Sequence, residues 1–278
     1  MIGLTQYLIV FVVYPQYNYP SAIHTISFGL ISFATLLIAG AGNVINDFFD
    51  QKTDNINRVS KKVIGKSIKE SSALIYYISL NLIALIVLCW GLFLLNQMSK
   101  IWLFIACGFF LYLYSKRLKG VFLLGNLVVS LLIVISLWVF PFLIESQKKF
   151  DQDYVFEFLV SVSILAFLLN LTREINKDIE DIKGDYASGH QTLPILLGRK
   201  STHYIIYFLL FLSLVSIQLH FYFWIARSWW SILYFTLLIF TPLLFVIFEY
   251  QKNKINYKKI SLLLKISMCF GLGSLLFI

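Results

Sequence analysis

The chain has 278 residues, of which 59% are apolar and 13% are charged, and its mean hydropathy is +0.80. Soluble domains contain about 45–50% apolar and about 25% charged residues, so this composition excludes a soluble globular protein. The net charge of +9 does not indicate nucleic-acid binding, because the basic residues stand between apolar runs and do not form one polar face.

The apolar runs predict the membrane topology. About 20 such residues cross the hydrocarbon core as a helix, and these runs lack the two-residue alternation of a membrane strand. We therefore expect an all-α polytopic membrane protein, a single domain over residues 1–278 with nine transmembrane helices around a central cavity. In chain order the predicted segments are 2–14, 21–45, 71–95, 101–115, 121–144, 154–172, 202–224, 229–249 and 260–278.

The distribution of basic residues predicts the orientation of these segments. Of the 23 Lys and Arg residues, 18 lie in the loops after even-numbered segments, and Lys265, a turn into the ninth segment, brings the total on that side to 19. The positive-inside rule places those loops and the N-terminus in the cytoplasm. We expect an integral protein of a prokaryotic inner or plasma membrane, with the C-terminus outside.

The first of two acidic windows follows the second segment. Eight of the 14 acidic residues lie in the two windows together. Asn46, Asp50 and Asp54 recur every four residues, so a helix would place three oxygen ligands on one face. Asp47 lies at the edge of that face.

The second acidic window follows the sixth segment. Glu174, Asp178, Asp181 and Asp185 are spaced by four, three and four residues, which again places them on one helical face. Carboxylates near a membrane are costly unless they are neutralised. We therefore expect a cation between the two acidic faces.

These oxygen ligands favour a hard cation. Mg²⁺ usually takes one or two protein carboxylates and completes its shell with water and phosphate oxygens. Two facing stripes therefore predict a clamp on a diphosphate through bridging Mg²⁺ ions. The metal ligands that we predict are Asn46, Asp50, Asp54, Asp178, Asp181 and Asp185.

Three other interpretations compete with the diphosphate clamp. The acidic runs could be solvated helix ends, but this explains neither their one-face spacing nor their duplication. A cation or proton transporter would carry its acids near the bilayer midplane, whereas these acids lie at the predicted helix ends, beside basic loops. A CDP-alcohol phosphotransferase would carry an Asp-Gly pair followed by Ala-Arg, which this sequence lacks.

The two windows resemble the motifs of the UbiA superfamily of intramembrane prenyltransferases. The NDxxDxxxD motif of that superfamily is matched by Asn46, Asp47, Asp50 and Asp54. Its DxxDxxxD motif is matched by Asp178, Asp181 and Asp185, with Glu174 where many members carry another acid. A further stretch of the family is matched by Gly189, Thr192, Leu193, Pro194 and Gly198. Nine helices with motifs after the second and sixth are also the family arrangement.

This resemblance implies an enzyme that uses Mg²⁺, as two ions, to transfer a prenyl group from an isoprenyl diphosphate to a lipophilic acceptor in the bilayer. The second window is most similar to the geranylgeranylglycerol-phosphate geranylgeranyltransferase branch. That branch implies geranylgeranyl diphosphate as donor and the hydroxyl of a prenylglycerol phosphate as acceptor. An aromatic acceptor of quinone or haem biosynthesis stays open.

Basic side chains should stabilise the charge on the departing diphosphate. The candidate cations are Arg58, Lys61, Lys116, Arg117 and Lys119. The segment 112–119 is similar to a Tyr and Lys loop of the family, which implies a catalytic role for Tyr114 and Lys119 and substrate binding by Tyr112. A cluster that only sets topology is the alternative for this loop.

The remaining expected roles follow the two motifs. Catalytic carboxylates are expected at Asp50, Asp54, Asp178 and Asp185, and substrate-binding residues at Asn46, Asp47, Glu174 and Asp181.

The sequence departs from the family after Arg58, where two prolines are replaced by other residues. It departs also at its start, which is already apolar at Met1.

Overall fold

The computed structural model describes residues 1–16, 25–57, 63–145, 153–225 and 228–276. These residues form helices and, beyond one isolated bridge between Ile64 and Ile68, no β-structure. The all-α prediction is therefore confirmed. The helices are α1 (Ile2–Val13), α2 (Thr25–Phe49), α3 (Gln51–Asn57), α4 (Glu70–Leu94), α5 (Ile101–Lys116), α6 (Leu124–Glu145), α7 (Asp153–Ala187), α8 (Leu193–Trp224), α9 (Trp229–Tyr250) and α10 (Tyr257–Gly273).

Within the described ranges, eight helices are long and apolar enough to cross a membrane, and α1 is a shorter apolar helix. This confirms the predicted polytopic membrane protein. Two boundaries differ from the prediction by more than two helical turns. Helix α7 continues to Ala187 instead of ending near residue 172, and α8 begins at Leu193 instead of 202, with a kink at Gly198. The acidic end of α7 stays helical because it packs against α3.

Two apolar clusters form the core of the described ranges, and α7 contributes to both. One joins α1, α2, α4 and α6 to the first half of α7, around Phe140 and Phe158. The other joins the second half of α7 to α8, α9 and α10, around Leu210 and Leu243. Helix α7 is thereby held along its whole length, which fixes the position of its acidic end.

A buried polar network sets the rotation of α7. The Tyr250 hydroxyl donates to Asn176 Oδ1 at 2.6 Å, and Asn176 Nδ2 donates to the Tyr257 carbonyl at 2.9 Å. Asn176 and Asp178 are two residues apart, about 200° around a helix. Because Asn176 is tied to α9 and α10, Asp178 faces the other way, towards α6.

Candidate active site

A polar cavity of about 110 Å³ lies where α2, α3, α5 and α7 meet the loop after α5. The seven carboxylates of the two predicted stripes all line it. We name it the acidic cavity. Its full lining is Asn46, Asp47, Asp50, Thr53, Asp54, Asn57, Tyr114, Lys119, Glu174, Lys177, Asp178, Asp181 and Asp185.

The first stripe keeps its register across the end of α2. The Asp50 amide donates to the Asn46 carbonyl and the Asp54 amide donates to the Asp50 carbonyl, both at 2.9 Å. Helical hydrogen bonding therefore continues from α2 into α3, and the three residues share one face. Asn46 Nδ2 donates to Asp50 Oδ2 at 2.7 Å.

The loop after α5 supplies a cation to this stripe. Lys119 forms an ion pair with Asp50. The loop folds back closely on α6. A Cβ at Gly125 would lie only 2.8 Å from Lys119 Cα and 2.9 Å from the Leu118 carbonyl oxygen. The glycine thus permits the turn that brings Lys119 to the cavity.

The electrostatic surroundings keep Lys119 charged. Burial, the largest influence, lowers the pKa of its ammonium group, but the charge and hydrogen bond of Asp50, together with the charges of Asp185 and Asp181, outweigh this. The net result is a pKa above the usual range. Lys119 is therefore a fixed positive charge in the cavity at neutral pH.

The second stripe is held by partners of two kinds. Asp178 Oδ2 accepts from Asn126 Nδ2 at 2.8 Å. Glu174 instead accepts from Arg173 Nη1 at 2.8 Å and from Lys177 Nζ at 2.9 Å. The charge on Glu174 is thus offset by two cations, whereas Asp178 is oriented by a neutral amide.

Close packing of α3 on α7 brings the two stripes together. Asn57 Nδ2 donates to the Asp181 carbonyl at 2.9 Å, and the Gly184 amide donates to Asn57 Oδ1 at 3.0 Å. A Cβ at Gly184 would lie 2.7 Å from the Thr53 carbonyl oxygen. Only glycine at this position lets the two backbones approach so closely.

Some predicted site residues lie elsewhere. Tyr112, Lys116 and Arg117 do not line the acidic cavity. The Lys116 ammonium lies 5.4 Å from the centroid of the Tyr112 ring, and Tyr112 faces a groove between α4 and α5. Tyr112 and Tyr114 point to different sides because they are about 200° apart on a helix. Arg58 and Lys61 fall outside the described residues.

Two residues that contact the acidic stripes, Asn126 and Lys177, are not among the predicted site residues. Asn126 could have been noticed as an amide inside an otherwise apolar segment, where a polar side chain needs a partner. Lys177 follows Glu174 by three residues, a spacing at which opposite charges meet on a helix. The contact of Lys177 with Glu174 is local enough to be suggested by the sequence, whereas Asn126 and Asp178 are 52 residues apart and meet only through the fold.

Two apolar chambers lie deeper in the bundle, below the acidic cavity. One, of about 140 Å³, is enclosed by α1, α2, α5 and α6 and begins at Leu111 and Val129, about one turn below Tyr114 and Asn126. The other, of about 180 Å³, is enclosed by α1, α6, α7, α8 and α10. We name them the α5 chamber and the α10 chamber. Ile133 lines both.

The donor set of the acidic cavity suits Mg²⁺ that binds together with a phosphate. Asn46 Oδ1 is buried and has no hydrogen-bond partner among the described residues, so it is available as a ligand. No group of three or more acidic, His or Cys side chains in the described ranges is close enough to hold a metal alone. Phosphate and water oxygens would have to complete the shell, as is usual for Mg²⁺.

Several known proteins are similar in sequence to this chain. A digeranylgeranylglyceryl phosphate synthase of Methanosphaera stadtmanae is 31% identical over 263 residues, which cover 91% of this chain and 90% of that protein. The synthase of Methanothrix thermoacetophila is 36% identical over 173 residues. In that match the chain spans 60% of the length of the relative.

Solved structures share the fold. A structure from work on digeranylgeranylglyceryl phosphate synthase in membranes has a TM-score of 0.64 and 26% identity, and covers 99% of this chain and 90% of its own. A UbiA homolog from Archaeoglobus fulgidus bound to GPP and Mg²⁺ has a TM-score of 0.62 and 14% identity, with coverage of 99% and 96%.

The family match includes both acidic motifs. Residues 7–268 match the model of the UbiA prenyltransferase family. This range covers nearly the whole chain and every described residue of the acidic cavity. The resemblance seen in the two motifs is therefore confirmed, and the chain belongs to the UbiA prenyltransferase family.

Proposed function

We propose that this chain, acting as one transmembrane domain over residues 1–278, transfers a geranylgeranyl group from geranylgeranyl diphosphate to the hydroxyl of a prenylglycerol phosphate. The allylic carbon–oxygen bond breaks and its electron pair leaves with the diphosphate. The acceptor oxygen forms the new ether bond, and its proton passes to a carboxylate of the cavity. The names of the synthases from Methanosphaera and Methanothrix support this choice of acceptor.

One observation carries the proposal. The two acidic stripes and Lys119 converge in a single cavity that stands above apolar chambers. A prenyl diphosphate has the same division, with a charged head and a hydrocarbon tail. The diphosphate would occupy the acidic cavity, and the prenyl chain would extend into the α5 chamber below Tyr114.

The chain's own residues stabilise the leaving group. Lys119 is held as a cation by Asp50 and would donate to the diphosphate, on which negative charge grows during bond breaking. Asn126 holds Asp178 in place, and Asn57 holds α3 against α7. The groups that face the substrate are therefore oriented before it binds, which avoids a cost of reorganisation.

Two Mg²⁺ ions are the proposed cofactor, and the complex of the Archaeoglobus homolog with GPP and Mg²⁺ supports the metal. Asn46, Asp50 and Asp54 would hold one ion, and Asp178, Asp181 and Asp185 the other. When bound, the metal supplies positive charge that neutralises the departing diphosphate. Glu174 is paired with Arg173 and Lys177, so we place it at the edge of the metal site.

The apolar chambers protect the allylic cation from water. Their linings are almost wholly apolar, with Leu103, Phe104 and Leu111 in the α5 chamber. Water that reached the cation would quench it, and a dry site also strengthens the electrostatic interactions above. We propose that the loops around the acidic cavity face the cytoplasm of a prokaryotic plasma membrane, following the bias of Lys and Arg.

The proposal is tested with purified protein, geranylgeranyl diphosphate and a panel of acceptors. We expect ether product and stoichiometric diphosphate release that require Mg²⁺ and disappear with a chelator. Asp178→Asn should lower kcat by about 10²–10³, since it removes stabilisation of developing charge. Glu157→Gln is the matched control, because Glu157 lies on the same helix, exposed and outside the cavity.

Two outcomes would contradict the proposal. Ion flux in proteoliposomes without any diphosphate release would favour the transporter. Transfer to hydroxybenzoate or naphthoate, with none to prenylglycerol phosphate, would keep the prenyltransferase and replace the acceptor.

A further inference from the structure

Three basic side chains gather at the edge of the acidic cavity that faces α10. Arg173 and Lys177 both pair with Glu174, and Lys265 of α10 is close enough to interact electrostatically with both of them. One carboxylate therefore stands among three cations. We name Arg173, Lys177 and Lys265 the basic rim, whose three cations exceed the one carboxylate paired with them, an arrangement suited to an anionic ligand.

Arg173 has an unused donor. Its Nη1 donates to Glu174, but its Nε is buried and has no hydrogen-bond partner among the described residues. Buried donors are rarely left unpaired, because an unmade hydrogen bond costs free energy. A guanidinium presents its donors in one plane, a geometry that matches the oxygens of a phosphate.

The α10 chamber lies directly below the basic rim. Leu169, one turn below Arg173 on α7, and Met268, one turn below Lys265 on α10, line this chamber. Leu165 and Leu272 line it a further turn down. The seam between α7 and α10 therefore carries cations at its polar end and an apolar chamber of about 180 Å³ beneath them. This arrangement matches a lipid with an anionic head group.

The basic rim also borders the place where transfer would occur. Lys177 lines the acidic cavity, and Glu174 is shared between the rim and the cavity. A ligand phosphate on the rim would therefore lie beside the diphosphate of the donor. In a glycerol phosphate lipid, the free hydroxyl and the phosphate are on the same small glycerol unit, so the hydroxyl could reach the donor.

We propose that the basic rim binds the phosphate monoester of a lipid acceptor whose hydrocarbon chain lies in the α10 chamber. This assignment rests on the proposed prenyl transfer and deepens it. The α5 chamber then holds the chain of the donor, and the two chambers meet at Ile133 and Ser136. An enzyme whose two substrates both carry long prenyl chains needs two such chambers under one reaction centre.

Steady-state kinetics of Lys265→Gln test the proposal. Lys265 is exposed, so the change should leave the fold intact. Loss of one charged hydrogen bond to phosphate should raise KM for prenylglycerol phosphate about 10-fold, while KM for geranylgeranyl diphosphate stays unchanged. The control is Lys258→Gln, which removes the same charge from an exposed position near the start of α10. Arg173→Lys, which keeps the charge but loses the planar donors, should also raise KM for the acceptor.

A second acceptor separates phosphate recognition from a general defect. Prenylglycerol without phosphate should bind more weakly than prenylglycerol phosphate to the wild type, and Lys265→Gln should weaken it no further. An equal loss for both acceptors would overturn the proposal. So would an equal rise in KM for the donor, which would assign the rim to the diphosphate, or an effect no larger than that of Lys258→Gln.

Thermal unfolding measures acceptor binding to the basic rim independently of prenyl transfer. Prenylglycerol phosphate should raise Tm of the wild type more than that of Lys265→Gln, whether or not transfer is detected. An equal, Lys265-dependent rise with phosphatidylglycerol would instead make the rim an anchor for bulk membrane lipid and overturn the proposal. If no acceptor supports diphosphate release, the proposed function fails while this binding measurement still decides the role of the rim.

Discussion

Replacing Lys119 by glutamine removes the cation that the loop after α5 brings to the acidic cavity. Its ammonium pairs with Asp50, and the side chains are 26% and 10% exposed. Among the described residues that line the cavity there are seven carboxylates, and the other cation, Lys177, is hydrogen-bonded to Glu174. Glutamine keeps the approximate size of the side chain, so the change tests charge more than packing.

The structure sets the expected magnitudes. An exposed ion pair contributes at most about 1 kcal/mol, and removing one partner of a fully buried pair costs about 3–5 kcal/mol. With this partial burial, we expect the free energy of unfolding without Mg²⁺ to fall by about 2 kcal/mol. Loss of the fixed positive charge that Lys119 places beside the leaving diphosphate should lower kcat by about 10²–10³.

Two assays check this reasoning. Diphosphate release gives kcat and KM, and thermal unfolding in detergent across a series of Mg²⁺ concentrations gives the dependence of Tm on the metal. Because the variant leaves Asp50 without its cation, Mg²⁺ should raise Tm more in Lys119→Gln than in the wild type. Lys66→Gln, at an exposed loop position, controls for net charge. A kcat within about threefold of the wild type, or an unchanged response of Tm to Mg²⁺, would refute the assigned role of Lys119.

Three further predictions concern packing, topology and metal coupling. Gly184→Ala should destabilise the protein by about 1–3 kcal/mol, because its Cβ would clash with the Thr53 carbonyl. Chemical denaturation measures this loss, and the control is Gly29→Ala, where a Cβ meets nothing within 4 Å. Cysteines at Lys52 and Lys183 should react with an impermeant reagent only from the cytoplasmic side, and labelling from opposite sides would separate the two motifs. Mg²⁺ and a non-hydrolysable prenyl thiodiphosphate should raise Tm together by more than the sum of their separate effects, with a coupling of about 1–3 kcal/mol; additive shifts would exclude a metal bridge.

Much of the acidic cavity could be predicted from spacing alone. The helical period is a local property, so residues such as Asn46, Asp50 and Asp54 share a face wherever the helix lies. The duplication of acidic windows after the second and sixth segments likewise predicted that both belong to one site. In the part of the chain that the structure describes, the eight long apolar helices and the shorter α1 follow from runs of apolar residues, because the bilayer requires each crossing to satisfy its own backbone hydrogen bonds.

Only the tertiary structure decided which side chains complement these carboxylates. Lys116, Arg117 and Lys119 are equivalent in a count of loop charges, yet the tight turn beside Gly125 carries Lys119 alone of the three into the cavity. Asn126 reaches Asp178 from a different helix. Such contacts join residues far apart in the chain, so they depend on how helices pack and rotate. The sequence by itself determined the two acidic faces and the membrane class, whereas the packing of α3, α5, α6 and α7 decided the partners of those faces.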